Sequence, residues 1–249
     1  MMNTEQYVNM LTKQLQLLGS EQKAKATARF FPEPIPCLGA LAPDIKEVAQ
    51  RFHSENNQLQ ASKVLAVTEL MLASAKFHEE TLLAFLILDK YVGKHFDDTL
   101  VERFRYWLEH YVSNWAHVDN LCMKTIYKFM LSRTYLLPQI QSWTNSKVAW
   151  CRRAVNVVWL KFINRKIGKN YYSIPLNLVF ENCNLLLNDQ DIYVQKSIGW
   201  LLKVTSTAYP VPVIEYLTAN IQRIERPTLR YAIEKLEPET RRKLLLLQL

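Results

Sequence analysis

Glycine is scarce in this chain, with five residues in 249. A doubly wound α/β sheet or a β-sandwich needs many more turn glycines, and neither a GxGxxG nor a GxxxxGK[ST] loop is present to cradle a nucleotide phosphate. We therefore expect no nucleotide cofactor.

Cysteine is equally sparse, and the four cysteines lie far apart beside apolar residues: Cys37, Cys122, Cys151 and Cys183. They form no CxxC pair, which argues against a zinc framework or a disulfide scaffold. The pattern predicts buried reduced thiols in a metal-free cytoplasmic protein.

Long hydrophobic runs are also missing. The longest apolar stretch, near residues 82–88, is too short to span a membrane. The start, Met1-Met-Asn-Thr-Glu5, lacks the cationic segment and apolar core of a secretory signal. The closing Arg241-Arg-Lys-Leu-Leu-Leu-Leu-Gln-Leu249 resembles a membrane anchor but is predicted to be a last helix that packs its leucines on the core.

What the chain does have is a hydrophobic content of 49% and an excess of basic residues. Lys and Arg number 31 against 23 Asp and Glu, which gives a net charge of +8 and a pI near 9.2. This balance favours an anionic partner, with nucleic acid first among the candidates.

Apolar residues recur every three or four positions along most of the chain, which predicts helices. The segments are residues 8–18, 62–75, 81–91, 100–112, 121–131, 149–163, 194–204 and 213–224. Pairs of such segments recur about every 35–45 residues, the spacing of HEAT-type repeats. We expect an all-α, monomeric α-solenoid of HEAT-like helical repeats, one domain over residues 1–249, with a concave basic face.

Three short blocks interrupt this apolar pattern, and the first is Trp115-Ala-His-Val-Asp119. A helix that begins near Asn114 places Asp119 one turn after Trp115. The carboxylate then shares a face with three apolar residues, Cys122, Ile126 and Phe129. Because a carboxylate there is expensive to desolvate, it needs a partner. Asp119 either faces a ligand, caps a helix that starts later, or pairs with Arg133 or Arg153.

The second block, Trp150-Cys-Arg-Arg153-Ala154, lies in a segment that is apolar nearly all round and is therefore predicted to be sandwiched between neighbours. A guanidinium in such a helix must meet a carboxylate, a carbonyl or a phosphate. An internal salt bridge is one alternative. A phosphate is the other, since the planar fork of arginine binds two oxygens at once.

The third block is Gln195-Lys-Ser-Ile-Gly-Trp200-Leu-Leu-Lys203. On a helical wheel Lys196, Trp200 and Lys203 fall opposite the apolar stripe, which consists of Val194, Ile198, Leu201 and Leu202. The indole is either covered by a neighbouring repeat or exposed to a ligand, with the lysines on flanking phosphates.

Taken in order, the three blocks resemble the AlkD-type DNA alkylation repair family of HEAT-like repeat DNA glycosylases. Two further elements, Cys37-Leu-Gly-Ala-Leu-Ala-Pro43 and His78-Glu-Glu-Thr-Leu-Leu-Ala84, extend the resemblance over roughly residues 5–236. The resemblance implies hydrolysis of the N-glycosidic bond to cationic purines such as 7-methylguanine and 3-methyladenine in duplex DNA, without a base-flipping pocket. It makes Asp119 the catalytic carboxylate.

The resemblance also implies that Trp115 and Trp200 pack on deoxyribose and backbone and that Arg153 holds a phosphate. Two positions depart from the family pattern. Lys203 stands where the family usually carries Arg, so a two-pronged phosphate contact becomes a point charge. Phe30 stands where a Tyr commonly lies near DNA, which removes a hydroxyl contact. We expect weaker binding with activity retained.

Two rival functions remain open. One is a catalytically silent paralogue that binds duplex or branched DNA with a steep salt dependence. The other is a protein-interaction scaffold, a common use of helical solenoids, which predicts basic residues scattered over the convex face and negligible affinity for DNA.

Overall fold

The computed structural model describes residues 2–248, and nearly all of their regular structure is helical. The all-α prediction is confirmed. The chain divides into two compact units, Met1–Phe129 and Met130–Leu249, here named the N-terminal and C-terminal units. The expectation of one domain over the whole chain stays a prediction.

The N-terminal unit is built around one helix that is buried on nearly every side. Its elements are α1 (Thr4–Leu18), α2 (Glu21–Ala28), α3 (Ala42–Glu55), α4 (Ala61–Ser74), α5 (His78–Leu88), α6 (Leu100–His110), α7 (Trp115–Asn120), a π-helix (Leu121–Ile126) and α8 (Tyr127–Met130), which ends one residue beyond the unit. The central helix α5 packs against α1, α3, α4 and α7. It therefore links the amino-terminal helices to the segment that carries Trp115 and Asp119.

Polar side chains begin several of these helices by satisfying backbone N–H groups that have no partner within the helix. The Asn3 side chain accepts a hydrogen bond from the Gln6 amide at 2.8 Å, and the Gln6 side chain accepts one from the Asn3 amide at 2.8 Å. Asp44 likewise accepts from the amide of Leu41 at 2.8 Å. The start of α1 therefore follows from a reciprocal capping box.

The C-terminal unit is centred on its longest helix. Its elements are 3₁₀ helices at Thr134–Leu136 and Gln139–Asn145, α9 (Ala149–Trp159), a 3₁₀ turn (Leu160–Phe162), β1 (Arg165–Ile167), β2 (Asn170–Tyr172), α10 (Leu176–Leu186), α11 (Ile192–Ala208), α12 (Pro210–Ala219), α13 (Arg226–Ala232) and α14 (Pro238–Leu246). Helix α11 packs against α9, α10, α12 and α13. The strands form an antiparallel hairpin with Arg165 opposite Tyr172, which the apolar periodicity did not predict.

All eight predicted helical segments overlap helices, but α2, α3, α10 and α13 were missed. The last helix was predicted with its leucines packed on the core. Leu244 is buried, but Leu246 and Leu247 are 55% and 49% exposed, so the prediction is wrong for these two. Leu249 lies outside the described residues. No disulfide joins the four cysteines, all of which lie in the described part of the chain; three are buried and Cys37 is partly exposed.

Among the residues that the structure describes, no helix is both long and apolar enough to cross a bilayer. The same residues contain no group of three or more His, Cys, Asp and Glu side chains placed to hold a metal ion.

Candidate nucleic-acid interface

Trp115 and Asp119 lie one turn apart on the partly exposed face of α7. The helix begins where the sequence predicted, because the Asn114 side chain accepts a hydrogen bond from the His117 amide at 3.0 Å. His117 and Val118, between the two, are buried, whereas Trp115 and Asp119 are both partly exposed. Asp119 is thus the fifth residue of its helix, which excludes the alternative that it caps a later one.

The first turn of α7 is fixed to the start of α5 by two histidines. His117 Nε2 donates to the backbone carbonyl of His78 at 3.1 Å, and the two imidazole rings stack with centroids 4.7 Å apart. Burial lowers the pKa of His78 to about 4, and burial together with neighbouring His78 lowers the pKa of His117 to about 3. Both rings are therefore neutral at pH 7 and hold the helix in place.

Adjacent phenylalanines have opposite environments beside this helix. The Phe31 ring is buried and lies 5.6 Å from the Trp115 ring and 5.3 Å from the His78 ring, centroid to centroid. Phe30 is 75% exposed, and its contact with DNA stays a prediction. Phe31 therefore supports the indole, a role that sequence reasoning missed.

The two short elements that extend the family resemblance, residues 37–43 and 78–84, contact each other in the N-terminal unit. Glu79, which is 1% exposed, accepts a hydrogen bond from the Leu38 amide at 2.9 Å and another from the Gly39 amide at 2.8 Å. The His78 amide donates to the Pro36 carbonyl at 2.9 Å. Only glycine fits at position 39, since φ is +82° and a Cβ would lie 2.2 Å from the backbone oxygen of Ser20.

The contact between these two elements also makes the Cys37 thiol less acidic. Burial and the adjacent Glu79 carboxylate raise the pKa of Cys37 to about 11, so the thiol stays protonated at neutral pH. Both motifs are therefore structural: they anchor the start of α5, which in turn holds α7.

The face predicted for Asp119 requires correction. Cys122, Ile126 and Phe129 are fully buried, whereas Asp119 is partly exposed. The prediction assumed an unbroken α-helix, but Leu121–Ile126 is a π-helix, whose i→i+5 bonds accommodate an extra residue. That residue turns the following side chains by about 100°, so they no longer share a face with Asp119.

In the C-terminal unit the two arginines of the second block have different partners. Arg152 binds Asp189 through two hydrogen bonds of 2.5 and 3.0 Å, which is the internal salt bridge considered above. Arg153 is 5% exposed and donates from Nη1 to the Tyr193 carbonyl at 2.6 Å. It therefore supports the first turn of α11, and its contact with a phosphate stays a prediction.

The third block presents Lys196, Trp200 and Lys203 on the outer side of α11. The four residues of the apolar stripe are fully buried, as predicted. Lys196 is exposed, with its ammonium 5.1 Å from the centre of the Tyr193 ring, and Trp200 is partly exposed. A neighbouring helix therefore does not cover the indole completely.

Lys203 already has two partners. Its ammonium lies 2.9 Å from a carboxylate oxygen of Glu234 and 4.5 Å from the centre of the Tyr231 ring. Its hydrogen bond and charge lower the pKa of Glu234. A contact between Lys203 and DNA requires the ammonium to leave or share Glu234, and the predicted phosphate contact remains untested.

Other residues of the third block hold α11 against its neighbours. The Gln195 side-chain amide donates to the carbonyls of Leu186, Leu187 and Asp189 at 3.2, 2.9 and 2.9 Å, which caps the end of α10. Gly199 allows close packing on α13, since a Cβ there would lie 2.9 Å from the Thr228 carbonyl oxygen.

Residues 11–236 match the model of the family described as DNA alkylation repair enzyme. The chain belongs to this family. No curated protein matches the sequence.

Among solved structures, a predicted DNA alkylation repair enzyme from Enterococcus faecalis is similar with a TM-score of 0.77 and 16% identity, over 88% of this chain and 97% of that one. AlkD2 from Streptococcus mutans is similar with a TM-score of 0.58 and 19% identity, over 99% and 97%. The protein smu.31 from Streptococcus mutans UA159 is similar with a TM-score of 0.53 and 20% identity, over 82% of this chain and 90% of that one. These likenesses confirm the predicted fold class of HEAT-like helical repeats; the concave basic face stays a prediction.

In this member of the DNA alkylation repair enzyme family, each unit carries part of the predicted site. The N-terminal unit holds Trp115 and Asp119 on one helix, with Phe30 exposed elsewhere in the same unit. The C-terminal unit holds Arg153 on α9 and the remaining three residues, Lys196, Trp200 and Lys203, on α11. The family assigns the protein a role in DNA repair.

Proposed function

We propose that the protein is a DNA glycosylase that excises cationic alkylated purines, such as 7-methylguanine and 3-methyladenine, from duplex DNA by hydrolysis of the N-glycosidic bond. It would act as a monomer in the cytoplasm, without a metal, a nucleotide cofactor or a base-flipping pocket. Membership of the DNA alkylation repair enzyme family supports DNA as the partner.

The observation that carries the proposal is the pairing of Trp115 with Asp119. An indole and a carboxylate stand one turn apart on the partly exposed face of a helix whose other face is buried. Placing a carboxylate within one helical turn of an aromatic surface suits a sugar that gains positive charge as the base departs.

The proposed reaction begins with cleavage of the bond between C1′ and the base nitrogen. The bonding electron pair leaves with the base, which neutralises the charge on the alkylated purine, and the sugar becomes an oxocarbenium ion. The Asp119 carboxylate stabilises that cation electrostatically and orients a water molecule. Water adds to C1′ and loses a proton to Asp119 or to solvent, which yields the abasic sugar.

The basic side chains would bind the DNA backbone. Lys196 is exposed beside Trp200 on α11, where a cation and an aromatic face can contact a phosphate and its sugar together. Lys203 and Arg153 would add contacts to further phosphates, and Phe30 would pack against the backbone. Trp200 is assigned a contact with the deoxyribose and backbone.

The test is release of free base from methylated duplex DNA. Wild-type protein is expected to release 7-methylguanine or 3-methyladenine, and Asp119→Asn is expected to lose at least about 100-fold in single-turnover rate while retaining its DNA affinity, since an electrostatic stabiliser typically contributes that much. Asp98→Asn, an exposed carboxylate of the same unit, is the matched control and should keep the wild-type rate.

The rival functions appear as other outcomes of the same experiment. DNA binding with a steep salt dependence but no base release identifies a catalytically silent paralogue. Absence of DNA binding identifies a protein-interaction scaffold. Release that persists in Asp119→Asn removes Asp119 from the mechanism.

A further inference from the structure

The partly exposed row that begins with Trp115 and Asp119 continues through the π-helix. Met123 and Tyr127 follow at the same four-residue spacing, and all four side chains are partly exposed. The residues that face inward along the same stretch are all buried: His117, Val118, Leu121, Cys122, Thr125, Ile126, Phe129 and Met130. One side of this segment is therefore continuously buried, and the other is at least partly exposed along its length.

An unbroken α-helix would not keep this row together. Each step of four residues advances about 400°, so three steps would place Tyr127 about 120° around the axis from Trp115. The π-helix takes up one extra residue, about 100° of rotation, which reduces the offset to roughly 20°. The π-helix thus keeps Asp119 and Tyr127 on the same side while Ile126 and Phe129 stay in the core.

A buried carboxylate at the residue that follows α5 holds the π-helix. Asp89 is 8% exposed and accepts hydrogen bonds from the Thr125 hydroxyl at 2.5 Å and from the Lys128 ammonium at 2.7 Å. These contacts reach across from the end of α5 to two residues three positions apart, within and just after the π-helix. They fix the rotation of the segment relative to the unit's central helix.

We propose that Met123 and Tyr127 are two further DNA-contacting residues, presented in line with Trp115 and Asp119 by the π-helix. This inference rests on the proposed function for its ligand. A tyrosine supplies an aromatic face for a sugar or base and a hydroxyl for a phosphate. A methionine supplies a flexible apolar contact. The row extends the surface about two helical turns beyond Asp119, toward the next nucleotides of the strand.

The binding test compares Tyr127→Ala with Tyr106→Ala on a fluorescent duplex that contains an abasic-site analogue. Tyr106, on α6, is an exposed tyrosine of the same unit outside the row. Tyr127→Ala is expected to weaken binding about fivefold or more, as loss of one stacking contact does, and Tyr106→Ala to leave it unchanged. Met123→Ala is expected to weaken it by a smaller factor. Wild-type affinity in Tyr127→Ala, with melting temperature retained, overturns the proposal.

A second experiment tests, without DNA, whether the π-helix accommodates one extra residue. Deletion of Met123 should convert the π-helix into an α-helix and leave the residues on both sides in place, so the protein should fold with nearly the wild-type melting temperature. Deletion of Arg103 from the unbroken helix α6 should lower the melting temperature strongly or unfold the protein, because the rest of α6, including buried Phe104, Trp107 and Leu108, turns by about 100°. If both deletions unfold the protein, the row does not depend on an extra residue and the proposal fails. Since this result needs neither DNA nor catalysis, it separates failure of the inference from failure of the proposed function.

Discussion

Glu79 and Glu80 are adjacent buried carboxylates that should respond differently to the same substitution. Glu79 is 1% exposed and uses both oxygens, one for the Leu38 amide and one for the Gly39 amide. Glu80 is 3% exposed and uses a single oxygen, which accepts from the amides of Lys76 at 2.6 Å and Phe77 at 3.0 Å. A glutamine has one acceptor and one donor in place of two acceptors.

Glu79→Gln therefore keeps one hydrogen bond and turns an NH₂ group toward a backbone N–H that has lost its acceptor. Loss of a hydrogen bond to a charged group, together with a buried unsatisfied donor, costs about 2–4 kcal/mol. In Glu80→Gln the side-chain carbonyl takes the place of the single accepting oxygen. Both hydrogen bonds therefore persist in neutral form, and the free energy of unfolding falls by only about 1 kcal/mol.

The assay is denaturant unfolding at pH 7 followed by tryptophan fluorescence, with the two variants measured beside the wild type. Glu79→Gln should show a clearly lower midpoint than Glu80→Gln at similar slope. Equal midpoints would refute the reasoning, because they would mean that the loop at Leu38 and Gly39 does not depend on the second carboxylate oxygen.

Two further predictions concern packing and pH. Gly199→Ala should destabilise the protein by about 1–2 kcal/mol, since its Cβ would lie 2.9 Å from the Thr228 carbonyl oxygen and this strain exceeds the gain in helix propensity; an unchanged thermal midpoint would contradict it. Burial lowers the pKa of His78 to about 4 and of His117 to about 3, whereas both have a pKa of 6.5 in the unfolded chain. Because the unfolded chain therefore binds more protons, the free energy of unfolding falls as the pH drops below about 6.5. Between pH 7 and 5 the loss is about 2 kcal/mol per histidine, and His117→Gln should flatten the profile of melting temperature against pH in that window; an unaltered profile would exclude His117 as a contributor.

The apolar periodicity predicted most of the helices but missed α3, even though buried Ile45, Val48, Ala49 and Phe52 form a stripe along that helix. Helix α2 has no buried residue, so no periodicity marks it. The start of α7 was predictable from Asn114, whose side chain caps it. The lysines and Trp200 were correctly placed opposite the stripe of α11 because a long regular helix obeys one period throughout.

The π-helix was not predicted, because a helical wheel assumes one period and assigns Asp119 to the face of Cys122. The mark of the π-helix lies in the spacing: the buried positions recur in adjacent pairs every four residues from His117 to Met130, a longer period than the 3.6 residues of an α-helix. The partners of Arg152 and Glu79 were beyond sequence reasoning for another reason. Asp189 lies 37 residues from Arg152 and Gly39 lies 40 from Glu79, and no local pattern specifies pairing over such distances.

The packing of Phe31 against Trp115 has a thermodynamic consequence for ligand association. Immobilising a side chain on binding typically costs about 0.5–1.5 kcal/mol of rotational freedom. Here the centroids are 5.6 Å apart and the indole is already partly enclosed. Its orientation is therefore restricted in the folded protein, so under the proposed function DNA binding would cost little further side-chain entropy at Trp115.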